Sequence, residues 1–188
     1  TSGSGCGSAT SNTVTITINP ALSGGVIAAD QTICYNTDVA AFTSTSGASG
    51  GLGAYSYQWQ VSTNGTAYTD VSGQTGTTYN VGNLTATRWY KRVASDSCTS
   101  DDSNVLQVTV RADLTAGSVG GNQTVCPGGN PSAFTSVLPT GGQGNYTYQW
   151  ESSPTGSAPW TNVSGATSAT LDLASVATTT YYRRKVTD

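Results

Sequence analysis

Histidine and methionine are both absent from the 188 residues. Without histidine the chain has lost the commonest general base and the commonest metal ligand. Charge is scarce as well, at 9% of residues against roughly 25% in an ordinary soluble domain. Seven Lys and Arg against ten Asp and Glu leave a net charge of -3, so no basic surface is available to neutralise a phosphate backbone, and nucleic acid is excluded as a partner. No apolar run approaches the roughly 20 residues that a membrane-spanning helix requires, and no leader pattern opens the chain. Ser, Thr, Asn, Gln and Gly must therefore wet the surface.

What the chain does contain is itself, repeated. Gln31-Thr32-Ile33-Cys34 returns as Gln123-Thr124-Val125-Cys126, 92 positions later, and Ala41-Phe42-Thr43-Ser44 returns as Ala133-Phe134-Thr135-Ser136 at the same offset. Tyr55-Ser56-Tyr57-Gln58-Trp59 returns as Tyr146-Thr147-Tyr148-Gln149-Trp150 at 91, and Val71-Ser72-Gly73 as Val163-Ser164-Gly165 at 92. Trp89-Tyr90-Lys91-Arg92 matches Tyr181-Tyr182-Arg183-Arg184. The opening residues fit the same ruler, since Cys6, Ser11, Asn12, Val14, Ile16 and Ile18 lie 92 before Cys98, Ser103, Asn104, Leu106, Val108 and Val110. The expected division is residues 1–21 as the last strand of a preceding repeat, 22–112 as a complete repeat, and 113–188 as a repeat cut before its last strand. The chain is accordingly expected to be a piece of a longer array.

Within each copy the pattern is that of short strands. Tyr55, Tyr57 and Trp59 alternate with Ser56, Gln58 and Gln60, and Leu106, Val108 and Val110 alternate with Gln107 and Thr109. Gly-rich stretches at 46–53 and 139–144 separate a Phe-bearing strand from a Trp-bearing one. No helical period appears. About seven strands in about 92 residues, with a Trp in the third, predict an all-β fold of tandem antiparallel β-sandwich repeats, immunoglobulin-like in kind.

Four cysteines leave three pairings formally open. Cys34 with Cys98 is the expected bridge within one repeat. It closes a loop of 64 residues, for which chain entropy gives about 4 kcal/mol. Cys34 precedes the Phe strand and Cys98 follows the last aromatic strand, so the bridge departs from the antibody pattern and would tie an end of the sandwich. Cys6 and Cys126 are left with partners outside the chain or in a neighbouring one. One such arrangement has residues 1–19 of one chain supplying the last strand of the next chain's second copy, with Cys6 bonded to Cys126 there. Zinc is disfavoured by the lack of histidine and of any CxxC spacing. Disulfides would imply an oxidising, extracellular setting.

The succession Gln-Thr-Val/Ile-Cys, Tyr-Gln-Trp, Val-Ser-Gly, aromatic-Tyr-Arg/Lys-Arg and Cys resembles the tandem immunoglobulin-like repeats of very large Bacteroidetes surface proteins, including SprB-type gliding-motility adhesins exported by the type 9 secretion system. The resemblance covers essentially the whole chain and implies a stalk or filament displayed outside the cell. It implies no catalytic residue and no cofactor. The implied partners are adjacent repeats of the same polypeptide, neighbouring filament chains, and polysaccharide or solid surfaces. Similar repeats also serve as spacers in secreted polysaccharide-degrading enzymes.

Few residues invite chemistry. Asp96, Asp101 and Asp102 crowd the loop around Cys98, an arrangement that oxygen-rich calcium sites share. Ala9 and Thr10 stand at the Asp101 and Asp102 positions of the preceding tail, which favours a solvated acidic hairpin. Glu151 and Asp172 have neutral counterparts in Gln60 and Asn80, which disfavours a catalytic carboxylate pair. Flat rings on a sheet can stack on sugars, and Tyr68 with Trp160, and Trp89 with Tyr181, occupy equivalent places. Trp89, Lys91 and Val93 are expected on an outer face. Tyr90 and Ala94 are expected inside, with Arg92 and Arg184 on the same inner row, needing a partner or a stack on Trp59 and Trp150.

Overall fold

The computed structural model describes residues 5–188, so the first four residues of the expected 1–21 remnant lie outside the described residues. Every regular element among the described residues is a strand. In the first half these are β1 (Val26–Ile27), β2 (Gln31–Ile33), β3 (Thr37–Asp38), β4 (Ser44–Ser46), β5 (Ser56–Ser62), β6 (Thr69–Asp70), β7 (Asn83–Leu84), β8 (Arg88–Ser95), β9 (Ser100–Asp102) and β10 (Leu106–Val110). In the second they are β11 (Ser118–Gly120), β12 (Thr135–Val137), β13 (Thr147–Ser153), β14 (Thr161–Asn162) and β15 (Tyr181–Thr187). Each sheet draws its strands from one side of residue 112 only. The two halves are called the first and second units below.

The main sheet of the first unit runs β2-β10-β8-β5-β6, with β9 also paired to β8. Its spine is the seven-pair antiparallel ladder from Ser56↔Ser95 to Ser62↔Trp89. In β8 the alternation Arg88-Trp89-Tyr90-Lys91-Arg92-Val93-Ala94 sends Tyr90, Arg92 and Ala94 inward to 2% exposure or less. Trp89, Lys91 and Val93 stay half-covered outside, as their spacing predicts. The pairs β1–β4 and β3–β7 form the opposing layer. Between the layers Ile27, Val39 and Phe42 meet Trp59, Tyr90, Leu106 and Val108. The rings tilt against one another, with Phe42 5.0 Å from Tyr90 and 5.7 Å from Trp59, as interacting quadrupoles prefer.

One pairing departs from the antiparallel expectation. β2 runs parallel to β10, with Gln31 opposite Val108 and Ile33 opposite Val110. Parallel neighbours need a long connection, and here the 72 residues from Cys34 to Val105 supply it.

That parallel pairing overturns the Cys34–Cys98 bridge. β10 descends from Leu106 opposite Tyr90 to Val108 opposite Arg88. Parallel β2 therefore delivers Cys34 beyond the Arg88 end of β8. Cys98 sits in the turn beyond Ser95, at the other end of the same strand. Seven residues of strand, about 23 Å, separate the two levels, whereas a disulfide needs α-carbons within about 7 Å. All four cysteines are free and exposed.

The second unit repeats the spine in β14-β13-β15, with Trp150 opposite Arg184 as Trp59 is opposite Arg92. Its β11–β12 pair corresponds to β1–β4. Residues 5–20 are in no strand, and Val14, Ile16 and Ile18 are 84%, 87% and 89% exposed. The expected remnant strand thus has no partner among the described residues.

Candidate functional site

Three repeated constellations could carry function: a buried arginine, an acidic clamp where the chain enters each unit, and an outer patch of rings.

The arginine row lies inside, as its place in the alternation requires. Arg92 has no exposed surface, yet no carboxylate faces it. Its guanidinium donates to the Ser44 hydroxyl, to the Thr77 carbonyl at 2.9 Å and to the Gly24 carbonyl at 3.3 Å. Arg184 donates to the equivalent Ser136 hydroxyl, to Ala169 at 2.7 Å and to Ala116 at 2.9 Å. Each guanidinium also lies over a ring, 4.4 Å from Tyr57 and 5.3 Å from Tyr148. Trp59 is the more distant ring, at 5.9 Å. Burial pulls the Arg92 pKa below its usual range. Nε of both arginines has no partner. The terminal nitrogens of each guanidinium, aimed at neutral oxygens from separate segments, make a cross-layer tie.

At the start of each unit the chain passes under a Gly-Gly turn. Gly51 N donates to Pro20 O at 2.8 Å, and Gly142 N donates to Ala112 O at 2.8 Å. Gly50 and Gly141 have φ of 76° and 84°, and a Cβ there would fall 2.1 Å and 1.9 Å from the carbonyl oxygens of Ala21 and Asp113. Only glycine fits both demands. Asp96 clamps this turn to the β8–β9 hairpin by accepting from Leu52 N at 2.7 Å, Cys98 N at 2.8 Å and Thr99 N at 2.9 Å. Those three amides hold its carboxyl below the ordinary value. Asp188 accepts from Gln143 N and Asn145 N, and these bonds lower its pKa likewise, with a smaller contribution from Arg111.

The hairpin's other carboxylates are partnered as well. Asp101 accepts from Gly24 N at 2.9 Å and Asp102 from Lys91 Nζ at 2.5 Å, so each carboxylate of the hairpin already has its own partner. Among the described residues no cluster of three or more metal-ligating side chains occurs. Glu151 is bonded to Arg183 at 2.6 Å, across the sheet from it, while Asp172 is exposed.

The ring residues singled out from sequence do come together. Trp89 covers Gly65, where a Cβ would sit 3.3 Å from the indole, and the Tyr68 hydroxyl donates to Gly65 O at 3.3 Å. Lys91 Nζ lies 4.8 Å above the Tyr68 ring. In the second unit Tyr181 covers Gly156, and the Arg183 guanidinium lies 4.3 Å over Trp160. Each patch is thus two rings, a glycine and a cation. The cations already occupy one face of Tyr68 and of Trp160, a face that a stacking sugar would need.

Sequence reasoning missed the acid clamp, although Asp96 and Asp188 are 92 apart and each follows the aromatic-basic strand. It also missed the residues that lock β10. Asn104 accepts from Ile27 N at 2.8 Å and donates to Ile27 O at 3.2 Å, and the Ser103 hydroxyl accepts from Arg92 N at 2.9 Å. Their repetition as Ser11-Asn12 was the available signal.

The family described as Domain of unknown function (DUF8696) matches residues 23–112 and again 115–188. The chain belongs to this family. Two adjacent matches make the arginine tie and the Asp clamp features of the DUF8696 repeat as it occurs twice here. No curated protein is similar enough to the chain to count as a relative. Among the described residues no helix is long and apolar enough to cross a membrane.

Proposed function

We propose that this chain is a non-enzymatic, force-transmitting segment of a long extracellular bacterial adhesin or filament, built from immunoglobulin-like repeats. The observation that supports it is the joint. In both units the arriving backbone is bonded at Pro20 or Ala112 to a Gly-Gly turn that an aspartate clamps to the end of the central strand, β8 or β15. Tension on the chain therefore reaches the longest ladder of each sheet, β5–β8 or β13–β15, where several hydrogen bonds must fail together. The resemblance to gliding-motility adhesins supplies the setting: the cell surface after type 9 secretion, in surface adhesion and motility.

Single-molecule stretching tests this. Each unit should unfold in one discrete event, the first releasing about 300 Å of chain for about 90 residues. Gradual extension at low force without discrete events would sink the proposal. The second reading is a polysaccharide-binding module, favoured only by Tyr181, which is 49% exposed. It requires glycan-array binding that falls on Trp89→Ala or Trp160→Ala, whereas the stalk reading expects no binding to lose. A spacer role in a secreted hydrolase differs from the stalk only in what flanks it.

A further inference from the structure

The chain passes from the first unit to the second across a single peptide. Arg111 N donates to Ile33 O at 3.0 Å, which ties residue 111 to β2 at the edge of the first unit's main sheet. The next residue is already held by the second unit, because Ala112 O accepts from Gly142 N at 2.8 Å. Just beyond, Gly141 packs so closely on the Asp113 carbonyl that a Cβ would collide with its oxygen, and Thr115 and Thr140 exchange backbone hydrogen bonds at 2.8 and 3.1 Å. A flexible linker lets two bodies swivel. Since the peptide itself is planar, the rotation left between these two anchors is little more than ψ of Arg111 and φ of Ala112.

The side chain at this joint is a cation with no partner in its own unit. Arg88, Lys91 and Arg92 of the first unit are engaged with Thr87 O, Asp102 and the buried oxygens respectively. Arg111 is half-covered, yet its guanidinium makes no hydrogen bond and no contact ion pair among the described residues. Across the joint stands the Asp188 carboxylate. It lies against the very turn that holds Ala112, for a Cβ on Gly142 would collide with Asp188 Oδ2. Arg111 is thus one residue from the oxygen that this turn grips, so its long side chain can reach the carboxylate. The electrostatics agree. The backbone amides of Gln143, Asn145 and Gly144 lower the Asp188 pKa, and the positive charge of Arg111 adds to them.

We infer that this joint is rigid and that Arg111 latches it, its charge holding the Asp188 carboxylate of the second unit so that the two units turn as one body. The charge belongs to the joint and not to the repeat fold, because neutral Asn19 occupies the matching place before the first unit. For its use, the bending stiffness of a stalk, the latch rests on the proposed function; its geometry does not.

Backbone amide NMR relaxation of the intact chain tests the inference. Both units should report one common rotational diffusion tensor. Arg111→Glu sets a like charge beside Asp188 and should split that tensor in two, each unit then tumbling faster than the whole. Amide shifts inside each unit should stay in place, because the Arg111 side chain bonds nothing within the first. Arg111→Lys retains the positive charge and should retain the single tensor. Wild-type units that tumble independently, an Arg111→Glu chain with the wild-type tensor, or an Arg111→Lys chain that splits as Arg111→Glu does, overturns the inference. Stepwise unfolding under tension depends on the ladders within each unit, so a loose joint would leave that result as expected and the two proposals fail separately.

Discussion

A guanidinium at zero exposure without a carboxylate is expensive unless its donors are used. Arg92, and Arg184 at 7% exposure, use their terminal nitrogens on hydroxyl and carbonyl oxygens from separate segments and leave only Nε unpartnered. Removing the side chain would strand the Thr77 and Gly24 carbonyls and open a void beneath Tyr57. Arg92→Ala should therefore destabilise the first unit by about 3 kcal/mol. Arg92→Met keeps much of the volume and removes the buried charge, so it should cost less than the alanine. Chemical denaturation of the two variants checks the order. A loss within about 0.5 kcal/mol of zero for alanine would mean that the tie contributes nothing net. The inward direction of both arginines was legible in the alternation of Trp89-Tyr90-Lys91-Arg92-Val93-Ala94. Their acceptors were not, because Ser44, Thr77 and Gly24 are 48, 15 and 68 residues away and carry no mark in the sequence.

The β8–β9 hairpin is joined to the Gly-Gly turn through a single aspartate, so the junction has a pH dependence. Three backbone amides depress the Asp96 pKa in the folded state. A depressed acid contributes stability that is fully present above its unfolded value of about 3.9 and is lost as pH falls through the folded value. Asp188 acts in the same sense. Stability should hold from neutrality down to about pH 4 and decline below it. The gap between wild type and Asp96→Asn should close over the same range, as thermal melts at stepped pH would show. A gap that is constant down to the lowest pH would count against the clamp. At this scale the long strands were legible, because β5, β8, β10 and β13 alternate over five or more residues. Strands of two or three residues, such as β1, β3 and β7, are too short to show a period. The parallel placement of β2 was invisible for a different reason. Alternation fixes which face a residue takes, and says nothing of which neighbour or direction the strand pairs with. The Cys34–Cys98 bridge failed on that point alone.

The two units share a fold and differ in how completely their cores are covered, and that difference should appear in the stability of the whole chain. Phe134 stacks on Trp150 at 5.8 Å and on Tyr182 at 5.5 Å, much as Phe42 stacks on Trp59 and Tyr90. The first unit additionally has Leu106 and Val108 over those rings, and burying two such side chains stabilises by about 3–6 kcal/mol. The second unit should thus unfold at lower denaturant than the first, giving two transitions where a pair of identical repeats would give one. Tryptophan fluorescence with Trp59→Phe and Trp150→Phe variants would assign each transition to its unit. A single transition that both variants report at the same midpoint would mean that Leu106 and Val108 add nothing to the stability of the first unit over the second.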